Sequence, residues 1–319
     1  MIRNPRLAPS CRRPKPLLYK AETLLVAIGV YQALSFFTTS FYAFRRVTSL
    51  ATVMTSSTTK NFVVATRIHL GNASKPPSGQ ELQNMIASFT SFGRSLSAGK
   101  TLIAADATPK FDGYDLVKEL RSITASMHVT ILPVTPWNAF VPALNAIVSE
   151  AGGADYCLMV SAETRASPAS IEKLLNQMDE STLVAGGVLF GHEYHPHSMQ
   201  PLNGRTTPWN TLAVWNVAKL SLTGFALVAD GVHREKDGSP GASGVEEVST
   251  IAILQRILGE NHAKAKLVPL ADVRWETDFA DEERRAWHER KMNSKTKRAS
   301  RHLELLSLSG IVHHLGDET

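Results

Sequence analysis

The chain has 319 residues, 43% of them hydrophobic and 20% charged, enough to bury a sizeable core and unlike a disordered tail or a collagen-like repeat. Its two cysteines, Cys11 and Cys157, exclude a disulfide framework and a zinc site built on cysteine pairs. The formal charge of +5 resides in the first 22 residues, where Arg3, Arg6, Arg12, Arg13, Lys15 and Lys20 face Glu22 alone. The body is therefore balanced, with no zinc-finger or aromatic-interleaved basic signature, and nucleic acid is not an expected partner.

After this basic tail, residues 1–22, Thr23–Phe44 carries no charge. At ~1.5 Å per residue in a helix it would span about 33 Å, enough for a hydrocarbon core of about 30 Å. The preceding basic residues fit a single signal anchor with a cytosolic N-terminus and a translocated body, in the Golgi or endoplasmic reticulum. The alternatives are an Arg-rich mitochondrial presequence and a helix packed on the body. Residues 45–60 read as a Ser/Thr-rich linker. Asn72-Ala73-Ser74 is a sequon, which matters only if the body is lumenal.

From Asn61 strands and helices alternate, which predicts an α/β domain over 61–305: a mostly parallel sheet flanked by helices, followed by a tail at 306–319. Strands are expected at 61–70, 101–105, 129–134, 156–160 and 183–190. Helices are expected at 80–96, 114–123, 139–151 and, behind the capping Ser167 and the first-turn Pro168, from 168 onward. Pro208 to Leu220 has amphipathic helical spacing, with Leu212, Trp215 and Val217 inward; Trp209 and Trp215 suit either a core or a sugar-stacking surface. Gly231 to Gly244, with four glycines and a proline, predicts a mobile loop that closes on a ligand, and Val248 to Leu258 a helix. Ligands of such sheets bind outside the carboxyl ends of the strands, where Asp106 and Glu163 fall.

Three segments in order carry a resemblance. They are Ala143-Leu144-Asn145-Ala146-Ile147, then Gly153 to Val160 ending at Ser161-Ala162-Glu163-Thr164 and followed by Pro168, then Gly244-Val245-Glu246-Glu247 opening a helix, with Arg256 further on. This pattern resembles family 2 glycosyltransferases of the GT-A fold over roughly residues 61 to 290. The family's Asp-any-Asp motif stands here as Ser161-Ala162-Glu163, and its Gly-any-Glu-Asp as Gly244-Val245-Glu246-Glu247.

The resemblance implies a Rossmann-like GT-A domain that moves a sugar from a nucleoside-diphosphate donor to an acceptor, with inversion. It implies Glu247 as general base with Glu246 beside it, and Asp106, Ser161 and Glu163 at the donor. It also implies a manganese or magnesium ion held by Glu163 and by a late histidine, for which His288 is the match. Hard cations take oxygen ligands, so Glu163 suits one and the missing first aspartate weakens the site. That substitution keeps open a non-catalytic binding or partner subunit.

Plainer readings accompany these residues. A Glu pair suits a helix dipole, Asp106 suits a turn and His288 suits a helix surface. His192, His195 and His197 lack the His-Glu-any-any-His spacing, and Pro196 points to a polar loop rather than to zinc, the ligand of a hydrolase reading. The basic run Arg284, Arg285, Arg290, Lys291, Lys295, Lys297, Arg298 and Arg301 reads as a solvated helix face or a contact with phosphate or membrane.

Overall fold

The computed structural model describes residues 60–317, apart from 72, 97, 138, 139, 231–243 and 276–281. The basic tail, the anchor at 23–44, nearly all of the linker, Asn72 of the sequon and the glycine-rich loop at 231–243 lie outside the described residues. Among the described residues no helix is long and apolar enough to cross a membrane.

Apolar runs become the first strands: β1 (Phe62–Ile68), β2 (Lys100–Asp106), β3 (Val129–Val134) and β4 (Tyr156–Val160). They pair in parallel in the order β3-β2-β1-β4, as buried β-branched and apolar runs with helical crossovers should. The crossovers are α1 (Gly79–Ser95), α2 (Leu116–Thr124) and α3 (Val141–Glu150). Ser78 and Glu81 form a capping box at the start of α1, and Asp115 caps α2.

Beyond β4, a short strand β5 (Thr164–Ala166) leads into α4 (Pro168–Asn176), whose Ser167 hydroxyl accepts the Ser170 N–H at 3.2 Å, the cap expected from the Ser-Pro pair. β6 (Thr182–Gly187) and β7 (Ser198–Pro201) follow.

The segment 208–220 is not the predicted helix. It forms β8 (Leu212–Asn216), followed by one turn of helix, α5 (Val217–Leu220). Leu212, Ala213, Val214 and Trp215 are all fully buried, because β8 lies between β4 and β6, antiparallel to both, with helices covering both faces of the sheet. A strand buried on both faces shows no alternation, and the three-residue spacing of Leu212 and Trp215 mimics a helix stripe.

After a 3-10 turn, Leu227–Asp230, come α6 (Glu246–Leu258), β9 (Lys264–Val268), β10 (Val273–Trp275), α7 (Glu282–Leu306) and β11 (Ile311–His314). The residues set apart as a tail thus supply β11, which lies between β9 and β7 with Val312 and His314 buried. The sheet has nine strands in the order β3-β2-β1-β4-β8-β6-β9-β11-β7, mostly parallel, and β5 pairs with β10 in a separate ribbon.

Two cores lie on opposite faces of the sheet. One is built from α1, α2 and α4 with Leu82, Ile86, Leu120 and Ile171; the other from α3, α6 and α7 with Leu144, Ile147, Ile251 and Ala299. Close approach accounts for the glycines of β6: a Cβ on Gly186 would lie 2.6 Å from Pro208 Cβ, and one on Gly187 would lie 2.7 Å from Leu270 Cδ1. Gly186→Val should therefore destabilise the domain by about 1–3 kcal/mol through overpacking, read as a lower urea midpoint with the slope unchanged.

Candidate functional site

The carboxyl ends of β1, β2, β4, β6 and β9 and the starting end of the antiparallel β8 lie along one edge of the sheet. This edge gathers Arg67, Asp106, the Ser161–Thr164 turn and Asn210, and α6 opens beside it.

At β4 the chain turns sharply. The Thr164 N–H donates to the Ser161 carbonyl at 3.0 Å, and Arg165 clasps the Ala162 carbonyl at 2.7 Å. The Ser161 N–H donates to the Thr211 carbonyl at 3.0 Å, and the Ser161 and Thr164 hydroxyls bond to each other at 2.9 Å. Glu163 sits half-buried in this turn. Asp106 accepts the Thr108 N–H at 2.9 Å, so its carboxylate shapes the turn after β2, across β1 from the Ser161 turn.

The acid pair opens α6, which has no side-chain cap of its own. Glu247 is only 5% exposed and accepts the Asn210 N–H at 2.7 Å. Asn210 adjoins Thr211, which holds the Ser161 turn, so Glu247 and the end of β4 belong to one connected structure. Burial and then the charge of Glu246 raise the Glu247 carboxyl above its usual range, opposed by Lys295 and by backbone N–H groups.

Glu246, 13% exposed, pairs with Arg67 at 3.4 Å; the Arg67 guanidinium also lies 4.7 Å from the centre of the Phe140 ring. Asp230, at the end of the 3-10 turn, accepts the N–H groups of Phe140 at 3.2 Å and Val141 at 3.0 Å. It thereby caps α3, whose own N-cap side chain makes no such bond. Burial, chiefly, and the Glu246 charge raise the Asp230 carboxyl, while the two N–H bonds and Arg67 oppose the rise.

Of the residues singled out in the sequence, Glu246, Glu247, Ser161, Glu163 and Asp106 fall at this edge; Arg67, Asp230 and Asn210, which the structure adds beside them, were not among those singled out. Arg67 is the one Asp, Glu, Lys or Arg residue in the run 61–70, and that exception was the available signal. His288 lies on the backbone of α7, and its side chain is outside the described residues.

Trp209 and Trp215 are core residues, their indole N–H groups donating to the Gly204 carbonyl and Asn210 Oδ1. The histidine loop is a loop, as expected from Pro196. His192 stacks on Trp209 with ring centres 3.7 Å apart; its Nδ1 accepts the Leu189 N–H at 2.9 Å, and its Nε2 reaches the Thr207 carbonyl at 3.0 Å. Both ring nitrogens are thus engaged with backbone. Among the described residues no group of three or more His, Cys, Asp or Glu is assembled to hold a metal ion.

No family model matches the chain, and no curated protein does. Among solved structures, a mannosyltransferase from Pyrobaculum calidifontis in complex with GDP-Man and Mn2+ is similar at 12% identity and a TM-score of 0.45, over 88% of this chain and 79% of that one. A nucleotidyl transferase from Methanothermobacter thermautotroptrophicus is similar at 11% identity and a TM-score of 0.41, over 74% and 98%. GalNAc-T7 with UDP, GalNAc and Mn2+ is similar at 8% identity and a TM-score of 0.41, over 82% and 45%.

The His192 ring gives a pH dependence of definite sign. Burial first, then Lys295, pushes it down to about 3, so the folded chain keeps it neutral where the unfolded chain protonates it. Its contribution to stability is complete above about pH 6.5 and is lost as pH falls from there toward the folded value. In urea denaturation at pH 7 and pH 5, wild type should lose more stability on acidification than His192→Gln; equal losses would contradict this role.

Proposed function

We propose that the chain transfers a sugar from a nucleoside-diphosphate donor to an acceptor hydroxyl, with inversion at the sugar carbon. The observation that carries this reading is the buried carboxylate Glu247 at the start of α6, joined through Asn210 and Thr211 to the Ser161–Thr164 turn that ends β4. This connection joins two of the three segments that carry the sequence resemblance.

An inverting transfer needs a carboxylate to take the acceptor's proton as its oxygen forms the new bond to the sugar, while the bond to the diphosphate breaks on the opposite side. A carboxyl whose proton affinity is raised by burial suits that task, and Glu247 has this character. Glu246, held by Arg67, keeps a second negative charge next to it. Asp106 and Ser161 contribute to the donor side from the ends of β2 and β4.

The donor's leaving group requires positive charge. Glu163 supplies one carboxylate, and Ser161 is bonded to Thr164. That set fits a magnesium or manganese ion held largely by substrate phosphates rather than an ion held by protein ligands alone. Such an ion would neutralise charge on the departing diphosphate. The anchor at 23–44, a membrane location and a lumenal catalytic domain complete the proposal, with the residues from 61 through β11 as the catalytic body.

A second reading, a binding or partner subunit without catalysis, is favoured by the single carboxylate at Ser161-Ala162-Glu163. Calorimetric titration of the full chain with UDP, GDP and their common sugars, with and without manganese, separates the two. Binding of a nucleotide supports the transferase, and absence of binding under every condition rejects it.

Glu247→Gln should lower transfer by about 10²–10⁴-fold while leaving donor affinity unchanged. Unchanged turnover in this variant, together with loss in Glu246→Gln, would move the base to Glu246.

A further inference from the structure

Among its described side chains, the basic run at 284–301 has two different faces. Lys297 projects into solvent, and Arg301 pairs with Glu304 one turn along α7. Lys295, by contrast, is only 8% exposed, and Arg298, three residues on and therefore on the same side of the helix, is half-buried. Ala299, His302 and Leu303 continue this inward stripe.

The stripe seats α7 against both segments that hold the acid pair. On one side the Lys295 ammonium lies 3.5 Å from the centre of the Trp209 ring, next to the Asn210 whose N–H binds Glu247. Contact there is close enough that a Cβ on Gly204 would lie 2.3 Å from the Lys295 carbonyl oxygen. On the other side Arg298 donates to the Gly244 carbonyl at 2.9 Å, two residues before Glu246, and to the Ser294 hydroxyl at 3.1 Å. A Cβ on Gly244 would lie 2.4 Å from the His302 ring.

Three carboxylates converge here, Glu246, Glu247 and Asp230. Arg67 comes from β1, and α7 adds Lys295 and Arg298, while the His192 ring, from the loop after β6, lies against the same Trp209 ring as Lys295. Adjacent buried carboxylates do not both ionise without compensating charge.

We infer that Lys295 and Arg298 are positioning residues for the Glu246–Glu247 pair, supplying from the C-terminal helix the positive charge that lets Glu247 stand ionised at the start of α6. This deepens the transferase reading and rests on it only for the reaction that Glu247 serves. Burial alone drives the Glu247 carboxyl toward its protonated form, which cannot accept a proton; the ammonium opposes that drive, and Arg298 bears on both carboxylates.

The test is a carboxyl titration of the full chain by 13C NMR, with glutamate labelled at the carboxyl carbon and Glu247→Gln used to assign its signal. In Lys295→Met the Glu247 midpoint should rise by about one pH unit or more, and Lys295→Arg should bring it back. Arg298→Gln should raise it in the same direction and serves as the second variant should Lys295→Met fail to fold. A lowered melting temperature with an unmoved Glu247 midpoint in the folded variants would reduce the stripe to a packing seam and overturn the inference. Where transfer is measurable, the acid limb of the rate profile should follow the midpoint while the donor KM stays unchanged. Failure of the wild type to bind any nucleoside diphosphate would sink the transferase reading, and the titration would still decide the role of α7.

Discussion

Placing two adjacent carboxylates at a buried helix start is the constraint around which this molecule is arranged. The start of α6 favours negative charge through its exposed N–H groups, but that effect is about 1 kcal/mol and cannot by itself offset the desolvation of a buried carboxylate. The remainder comes from groups far away in the chain. Arg67 reaches Glu246 across 179 residues, and the Asn210 N–H reaches Glu247 across 37. Each partner arrives on a different part of the chain, so β1, the turn entering β8 and α7 must dock in their final places for the pair to be tolerated.

The same arrangement explains why small residues appear where they do. Gly204 and Gly244 lie where α7 crosses the segments leading to Asn210 and Glu246, and a Cβ at either would meet atoms closer than 2.5 Å. These glycines permit close contact, and close contact is what brings cationic side chains within reach of buried acids. Packing and electrostatics are here one requirement. A helix held further off would leave water between Lys295 and Trp209, and the attraction would weaken with the higher local dielectric.

Much of the framework was legible in the residues because it depends on local patterns. Tyr156 to Val160 is a short apolar run with a glycine-rich entry, and it is the strand it reads as; Ser167-Pro168 announces α4 for stereochemical reasons. The segment around Trp215 was misread because its burial comes from both sheet faces, which removes the alternation that identifies a strand. In the site, Glu246, Glu247 and Ser161 through Glu163 were visible as short motifs. Arg67, Asp230 and Lys295 were not, since their meaning lies in partners distant in sequence. In the basic run only the three-residue spacing of Lys295 and Arg298 hinted at a common face, and nothing in the residues showed that this face turns inward.

The reversed strand β8 has a bearing on how the chain comes to fold. It separates β4 from β6 in the sheet yet follows both in the chain. As the polypeptide emerges in order, the β3-β2-β1-β4 half can assemble, but the outer edge of β4 stays unpaired and β6 has no neighbour until residues 212–216 appear. Unsatisfied sheet edges flanked by fully apolar strands are templates for intermolecular pairing. The interval between synthesis of β6 and insertion of β8 is thus a period in which two apolar strand edges are open to self-association. β8 closes two ladders in one step and joins β6 to the first half of the sheet, onto which β9 and β11 then add.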